Sequence, residues 1–388
     1  MSAVHVAFSL LTLFPGRVGG SESNVQGLLR EFSAGNGPAR VSVLANALVM
    51  EAYRDLASGP VSLHMVQRYR QGDGTLTRAA AMTMTALHPR RIARELPSGI
   101  DVLHHPVTVP VLRMPDVATV VTVYDLQHRE LPELFTRAER TYRRWAYEGA
   151  ARRADLVITT SEYSRGRLVE IAGIPADRVV SVLMGIDVDR FRPQPGPADA
   201  TLAERLSLPE RYVVYPANLW PHKNHDLLVD ALAQVQDRDL HLVLTGQDYG
   251  RGDALRERAR RMGVEGRVRH LGFLAADDVP ALYRGASAMI FPSLYEGFGS
   301  PPLEAMACGC PVASSTRGSL AEVIGGAALT FDPESVEEIA ASIARIAEDQ
   351  ELRSRLREAG LARASGFTWE AAARRHCELY ELARTFAA

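Results

Sequence analysis

Short runs of Val, Leu and Ile recur along this 388-residue chain, separated by helix-length stretches. The first series is Val4–Leu10, Val41–Ala45, Val61–Val66, Val102–His105, Thr119–Tyr124, Asp155–Thr160 and Val179–Met184. The second is Tyr212–Ala217, His241–Thr245, Val268–Gly272, Ala288–Pro292, Pro311–Ser314 and Ala328–Phe331. Most of these runs are apolar at consecutive positions, so both faces of each strand need cover. That is the mark of parallel strands held between two helical layers. Strand–helix alternation repeated in this way gives βαβ units and doubly wound parallel sheets, an α/β fold.

The two series are separated by Phe191-Arg192-Pro193-Gln194-Pro195-Gly196-Pro197-Ala198. Three prolines and a glycine in so short a span continue neither a helix nor a central strand, and the stretch reads as a linker. Two Rossmann-like domains are therefore expected, residues 1–192 and 200–366, facing across a cleft. Ligands of such sheets bind beyond the carboxyl ends of the strands, which puts a shared ligand in that cleft. Residues 367–388 form one helical pattern, with Trp369, Ala373, His376, Tyr380 and Leu382 at helical spacing. This helix either packs on its own domain or crosses back to brace the first.

Composition removes several function classes. Lys and Arg number 44 against 46 Asp and Glu, a net charge of −2, which argues against a dedicated nucleic-acid binder. Three cysteines cannot build a disulfide framework. No apolar run reaches the roughly 18 residues of a membrane span, and the first residues lack the basic start of a signal peptide. The expectation is a cytoplasmic protein, with the inner face of a membrane left open as a location. Abundant Arg and Ala suggest a bacterial source.

The most informative segment runs from Phe291 to Val312. A strand ends near Pro292 and Gly297-Phe298-Gly299 form a loop. Ser300 then suits an N-cap, with Pro301 in the first helical turn. Glu296 falls in the loop and Glu304 in the first turn of the helix. Glycines let a ligand approach the backbone, and free N–H groups there bind anions. Pro301 and Pro302 remove two of the usual helix donors, leaving the amides of Phe298, Gly299, Ser300 and Leu303. A first-turn carboxylate can accept hydrogen bonds from vicinal hydroxyls, as on a ribose, and a loop carboxylate can orient a sugar. Singly, Glu304 reads equally as a helix-dipole carboxylate and Glu296 as a turn residue.

Taken together, Glu296 and Glu304 stand in an E-x7-E spacing within a P-S-x-x-E-G-F-G-x-P-x-x-E-A frame. This resembles the retaining glycosyltransferases of family 4. The likeness extends through Val268–Phe273, Leu282–Ala286 and Ser319–Val323, covering nearly the whole second domain and, more loosely, the first. It implies a GT-B fold whose second domain holds a nucleotide-sugar donor. By the resemblance, Glu304 holds the ribose hydroxyls, Glu296 contacts the donor sugar, Phe273 lies near the base, and Gly297, Phe298, Gly299 and Ser300 line the donor. A UDP- or GDP-linked sugar is implied as donor, and a glycan, lipid-linked or small molecule as acceptor.

Lys223 follows the strand Tyr212–Ala217 in a polar loop, where an ammonium can neutralise a departing diphosphate. The family usually pairs this lysine with an arginine a few residues earlier. Asn218 stands near that place here, and Arg317 is the candidate for a substitute cation. Gly19-Gly20 matches the first-domain glycine loop that closes on the donor diphosphate. At the end of the fifth strand many relatives carry His-Asp-Leu. This chain has Tyr124-Asp125-Leu126-Gln127-His128, so Asp125 and His128 are expected at the cleft, while His104 or His105 could line the acceptor side.

No metal-ligand spacing appears, so neither a metal nor a cofactor is expected. Cys308 and Cys310 read as core thiols. Arg137, Arg140, Arg143, Arg144, Arg152 and Arg153 read as a solvated helix face. The alternative reading is an anionic acceptor or peripheral membrane contact near Arg90, Arg91 and Arg94, beside Ala79–Leu87. Acceptor choice is assigned to Met50–Ala57, Tyr69–Thr77 and Arg113–Val117. The competing readings are a nucleotide-sugar epimerase or phosphorylase on a similar frame, and a non-catalytic nucleotide-sugar binder. A degenerate binder would be expected to lose Glu296 or Lys223, and both are present.

Overall fold

The structure is a computed structural model that describes residues 4–16, 19–66, 92–107, 112–114 and 116–387. Tyr69–Thr77, Ala79–Leu87, Arg90, Arg91 and part of Arg113–Val117 thus lie outside the described residues. The chain divides into two compact units, Met1–Gly185 with Thr368–Ala388, and Ile186–Phe367.

In the first unit, seven strands run parallel in the order β3-β2-β1-β4-β5-β6-β7. They are β1 His5–Ser9, β2 Arg40–Ala45, β3 Val61–Met65, β4 Val102–His105, β5 Ala118–Thr122, β6 Leu156–Thr159 and β7 Val179–Ser181. The second unit has six parallel strands in the order β10-β9-β8-β11-β12-β13. These are β8 Tyr212–Pro216, β9 His241–Thr245, β10 Val268–His270, β11 Ala288–Phe291, β12 Val312–Ser314 and β13 Leu329–Thr330. The central strands β1, β4, β5 and β11 are buried along their whole length, including the His, Ser and Thr side chains of β1, β4 and β5, as strands covered on both faces must be.

The core of the first unit is closed by a helix from the far end of the chain. Ala372, Ala373, Leu379, Tyr380 and Ala383 of helix Trp369–Ala387 pack among Val6, Phe8, Leu28 and Val120. Gly27, on helix Gly20–Ser33, makes room for it: a Cβ there would stand 2.3 Å from the Trp369 ring.

The proline-rich stretch does not serve as a free linker. Phe191 stacks on Tyr283, ring centroids 6.2 Å apart, and Asp199 receives two hydrogen bonds from Arg284. Prolines forbid regular structure there, but the residues around them still find partners, so the stretch belongs to the second unit. Ser300 also differs from expectation. Gly299, at φ 91°, takes the cap and Ser300 is the first helical residue, because the turn needs a left-handed backbone there.

Candidate functional site

In the second sheet the chain order reverses between β8 and β11, which are hydrogen-bonded neighbours. The loops leaving their carboxyl ends diverge to opposite sides, and a crevice forms beyond such a switch point. The loop after β8 carries Lys223 and the loop after β11 carries Glu296. Lys223 Nζ lies 2.5 Å from Glu296 Oε1, and the two side chains keep 18% and 12% of their surface exposed. Residues 73 positions apart therefore meet as one ion pair.

The surrounding backbone fixes this pair. The Leu294 amide donates to the His222 carbonyl at 2.8 Å, joining the two loops. Tyr215 donates its hydroxyl to the Lys223 carbonyl at 2.8 Å and lies 3.1 Å from Ser293 Oγ. Asn224, left-handed at φ 61°, starts helix His225–Gln234 and donates through Nδ2 to the carbonyls of Pro292 and Pro333. Ser319 Oγ bridges the carbonyls of Glu296 and Phe298 at 3.0 and 2.9 Å. Burial pushes the neighbouring imidazoles of His222 and His225 down to about 4 and about 3, and the Lys223 charge adds to this. Both rings are neutral near pH 7. Lys223 is then the formal cation of the loops after β8 and β11.

Glu304 is the fifth residue of helix Ser300–Ala307, beyond the first turn where the sequence placed it because the helix already starts at Ser300; it is half-buried, with the Tyr283 hydroxyl 3.3 Å from Oε2. Burial pushes its carboxyl up to about 7, against the pull of the Arg190 charge. Such a group is poised to take hydrogen bonds when hydroxyls arrive. Phe273 stands 75% exposed beyond β10. Phe298 turns inward onto Phe367, so that only its backbone is left for a ligand.

Asn218 is not a spare polar group. Its Oδ1 accepts the Gln247 amide at 2.8 Å and ties the loop after β9 to the loop after β8. Arg317 holds Asp332 and Glu334 instead of offering a second cation, since those acids lie nearest its guanidinium. Sequence reasoning passed over Trp220 and Tyr249, two exposed rings 5.7 Å apart on the loops after β8 and β9. An aromatic inside a polar loop was the available signal.

In the first unit, Gly19 at φ 67° leads into helix Gly20–Ser33, and both glycines face solvent with open space where a Cβ would stand. Glu22 secures the turn before them: both its carboxylate oxygens accept the Gly16 amide, at 3.0 and 2.8 Å. Asp125 Oδ1 accepts the Gln127 amide at 3.0 Å, a turn just before the short helix Gln127–Glu130.

His128 departs from expectation, because its side chain is fully buried against Glu148 at 3.2 Å. Glu148 also takes two bonds from Arg129, at 2.7 and 2.9 Å, and one from Arg152. Burial alone would push its carboxyl up, but these partners hold it below the ordinary range. The helix turns His128 toward this carboxylate and away from solvent. Tyr124, not His128, stays at the sheet edge, donating to the Pro106 carbonyl at 2.8 Å and receiving Asn24 Nδ2 at 3.1 Å. His104 and His105 are both buried, bonded to Tyr380 and Thr122 and to the Leu112 carbonyl, so neither faces an acceptor.

Residues 18–190 match the family model for Glycosyltransferase Family 4, and residues 203–363 that for Glycosyl transferases group 1. The chain is 32% identical over 301 residues to O-antigen chain mannosyltransferase B of Escherichia coli, aligning 76% of its own length and 78% of that protein. The chain belongs to the family 4 glycosyltransferases. Mannosylfructose-phosphate synthase of Agrobacterium fabrum is 29% identical, but the alignment spans only 53% of that relative. Among solved structures, Anabaena HepE in complex with UDP and glucose superposes with a TM-score of 0.74 at 23% identity, covering 98% of this chain and 100% of that one. Sucrose-phosphate synthase of Thermosynechococcus elongatus gives 0.75 at 22% identity, covering 98% of each. These likenesses carry the GT-B fold.

The second unit thus brings an ammonium and a carboxylate together beyond β8 and β11, with Glu304 on the helix that follows the Glu296 loop. Among the described residues, no group of three or more His, Cys, Asp or Glu is arranged to hold a metal ion. No described helix is long and apolar enough to cross a membrane.

Proposed function

We propose that this glycosyltransferase moves a hexose from a nucleoside-diphosphate donor to an acceptor hydroxyl, with retention of anomeric configuration and without a metal ion. The observation that carries the reading is the contact between Lys223 and Glu296 at the switch point of the second sheet. An unliganded site that must neutralise a diphosphate needs its cation held in place before the substrate comes. Glu296 holds it. When the donor binds, the ammonium turns to the leaving phosphates, where charge grows as the glycosidic bond breaks. Glu296 is then free to accept from the sugar hydroxyls.

Glu304 takes the ribose hydroxyls, and the amides of Phe298, Gly299 and Ser300 meet the phosphates or the sugar. Phe273 offers a face to the base. From the first unit, Gly19 and Gly20 meet the donor diphosphate and Asp125 serves the acceptor side; His128 acts there only by supporting the fold. The departing phosphate assists deprotonation of the acceptor hydroxyl on the face it vacates. Relatives named as mannosyltransferases make mannose the first sugar to test, and the UDP- and glucose-bound neighbour makes UDP-glucose the second. A glycan acceptor follows from the same relatives.

A thermal-shift panel of UDP- and GDP-linked hexoses tests the donor. A ligand at 100 times its Kd adds ~2.7 kcal/mol of stability. Product NMR then reads the anomeric configuration, and EDTA tests the metal. An inverted product, or activity lost to EDTA and restored by Mg²⁺ or Mn²⁺, overturns the corresponding part.

A further inference from the structure

Several arginines elsewhere among the described residues are committed to acidic partners. Arg165, Arg167, Arg205, Arg258 and Arg284 each hold a carboxylate. The helical stretch Arg137–Arg153 of the first unit is different. It carries six arginines and two glutamates, a local formal charge of +4 in a chain of net −2. Glu148 is buried on His128, Arg129 and Arg152, and Glu139 closes a capping box with Thr136. Arg143 lies over the rings of Phe135 and Tyr147. Among the described residues, Arg137, Arg140, Arg144 and Arg153 then have no carboxylate partner.

The same stretch presents two large aromatics to solvent. Trp145 is 59% and Tyr142 45% exposed, and their rings lie 6.3 Å apart. The stretch is anchored by Ala146, Glu148, Ala150 and Ala151, which are buried. A π-turn at Arg144–Glu148 joins the two α-helical parts. The outward groups are therefore held on a fixed element and not on a loose loop.

Unpaired guanidiniums beside exposed Trp and Tyr are the composition of an element that lies in a membrane interface. The aromatic rings sit at headgroup depth and the cations meet lipid phosphates. We infer that this stretch docks the protein on an anionic phospholipid bilayer, with Trp145 and Tyr142 as anchors and Arg137, Arg140, Arg144 and Arg153 as phosphate contacts. A second copy is a poorer occupant, because a two-fold contact would press the +4 patch against itself. Double-stranded nucleic acid is disfavoured by the overall negative charge. The inference does not depend on the donor assignment, although it would bring the protein to lipid-linked acceptors.

The test is co-sedimentation of the full chain with vesicles of phosphatidylcholine alone and of phosphatidylcholine with 30% phosphatidylglycerol. At least tenfold stronger partitioning into the anionic vesicles is expected, falling several-fold between low and 0.3 M salt. Trp145→Ser with Tyr142→Ser, and separately Arg137→Gln with Arg144→Gln, should each weaken it at least fivefold. The nucleotide thermal shift of these variants should be unchanged. Brominated lipid should quench fluorescence in the parent but much less in Trp145→Phe.

No vesicle binding, equal binding to both compositions, or binding untouched by the patch variants overturns the inference. So does finding that the patch variants abolish self-association or single-stranded oligonucleotide binding while vesicles stay unbound. Vesicle binding with no donor binding would leave this inference standing and remove the proposed function instead.

Discussion

A Cβ on Gly318 would stand 2.5 Å from the carbonyl oxygen of Glu296 and 2.9 Å from its amide nitrogen. Gly318 also has φ +66°, a conformation costly for any other residue. The bare backbone of one loop is thus the floor on which the Glu296 loop rests. Gly318→Ala must shift Glu296 away from Lys223. We expect kcat to fall at least tenfold while the Tm drops by only a few degrees, read by steady-state kinetics and calorimetry on the same preparation. Normal turnover would show that the position of Glu296 is uncritical.

The Lys223–Glu296 pair predicts unequal effects from its two ends. Glu296→Gln keeps the ammonium available to phosphates, so affinity for the bare nucleotide should change less than threefold while kcat falls by about 10² or more. Lys223→Met should weaken the nucleoside diphosphate itself, by about tenfold, and lower kcat further. Isothermal titration with the bare nucleotide separates the two. Identical losses of affinity in both variants would remove the division of labour.

Glu304 links nucleotide binding to pH. Its folded value of about 7 lies above the ordinary carboxylate value of 4.5, so the folded state binds the extra proton. Stability from this group is therefore present below pH 4.5 and lost as pH rises through 7. Glu304→Gln removes that loss, and should stabilise the unliganded protein by about 1–2 kcal/mol at pH 8. The same change should cost about tenfold in nucleotide affinity at pH 8. For the parent, affinity should strengthen from pH 6 to pH 8 as the carboxylate forms. Titrations at three pH values and melting curves check both signs.

His128 and Glu148 should behave as structural residues. Removing Glu148 leaves Arg129 and a buried imidazole without their common partner, at a cost of about 3 kcal/mol or more. His128→Gln can retain one hydrogen bond and should lower the Tm by less, with kcat within threefold of the parent. A loss of kcat beyond tenfold in well-folded His128→Gln would return this residue to the reaction.

Burial of His376, on helix Trp369–Ala387, and of His104, which bonds Tyr380 of that helix, predicts sensitivity to acid. Burial holds His376 down to about 4 and His104 well below its ordinary value, with the charge of His376 also acting on His104. Both are neutral when folded, so the unfolded chain binds more protons between pH 4 and 6.5. Stability is full above pH 6.5 and falls as pH drops toward 4. Melting temperatures across that range should decline, and less steeply in His376→Phe.

The apolar runs were enough to locate the strands. A segment such as Ala288–Phe291 is covered on both faces in a parallel sheet, and local composition alone demands such cover. The glycine and carboxylate spacing around Glu296 and Glu304 was equally local. Sequence also fixed which residue types stand at strand ends, and so which chemistry was available.

Only the tertiary structure decided which of them meet. Lys223 reaches Glu296 because β8 pairs with β11, a choice made by sheet order and not by either loop. His128 looked available because spacing cannot tell which way a short helix turns, and the answer came from Glu148, twenty residues on. Asn218 and Arg317 were claimed by Gln247 and by Asp332 and Glu334, partners brought close by neighbouring strands. A side chain's type is a property of the sequence, but the partner that occupies it is set by strand order and packing.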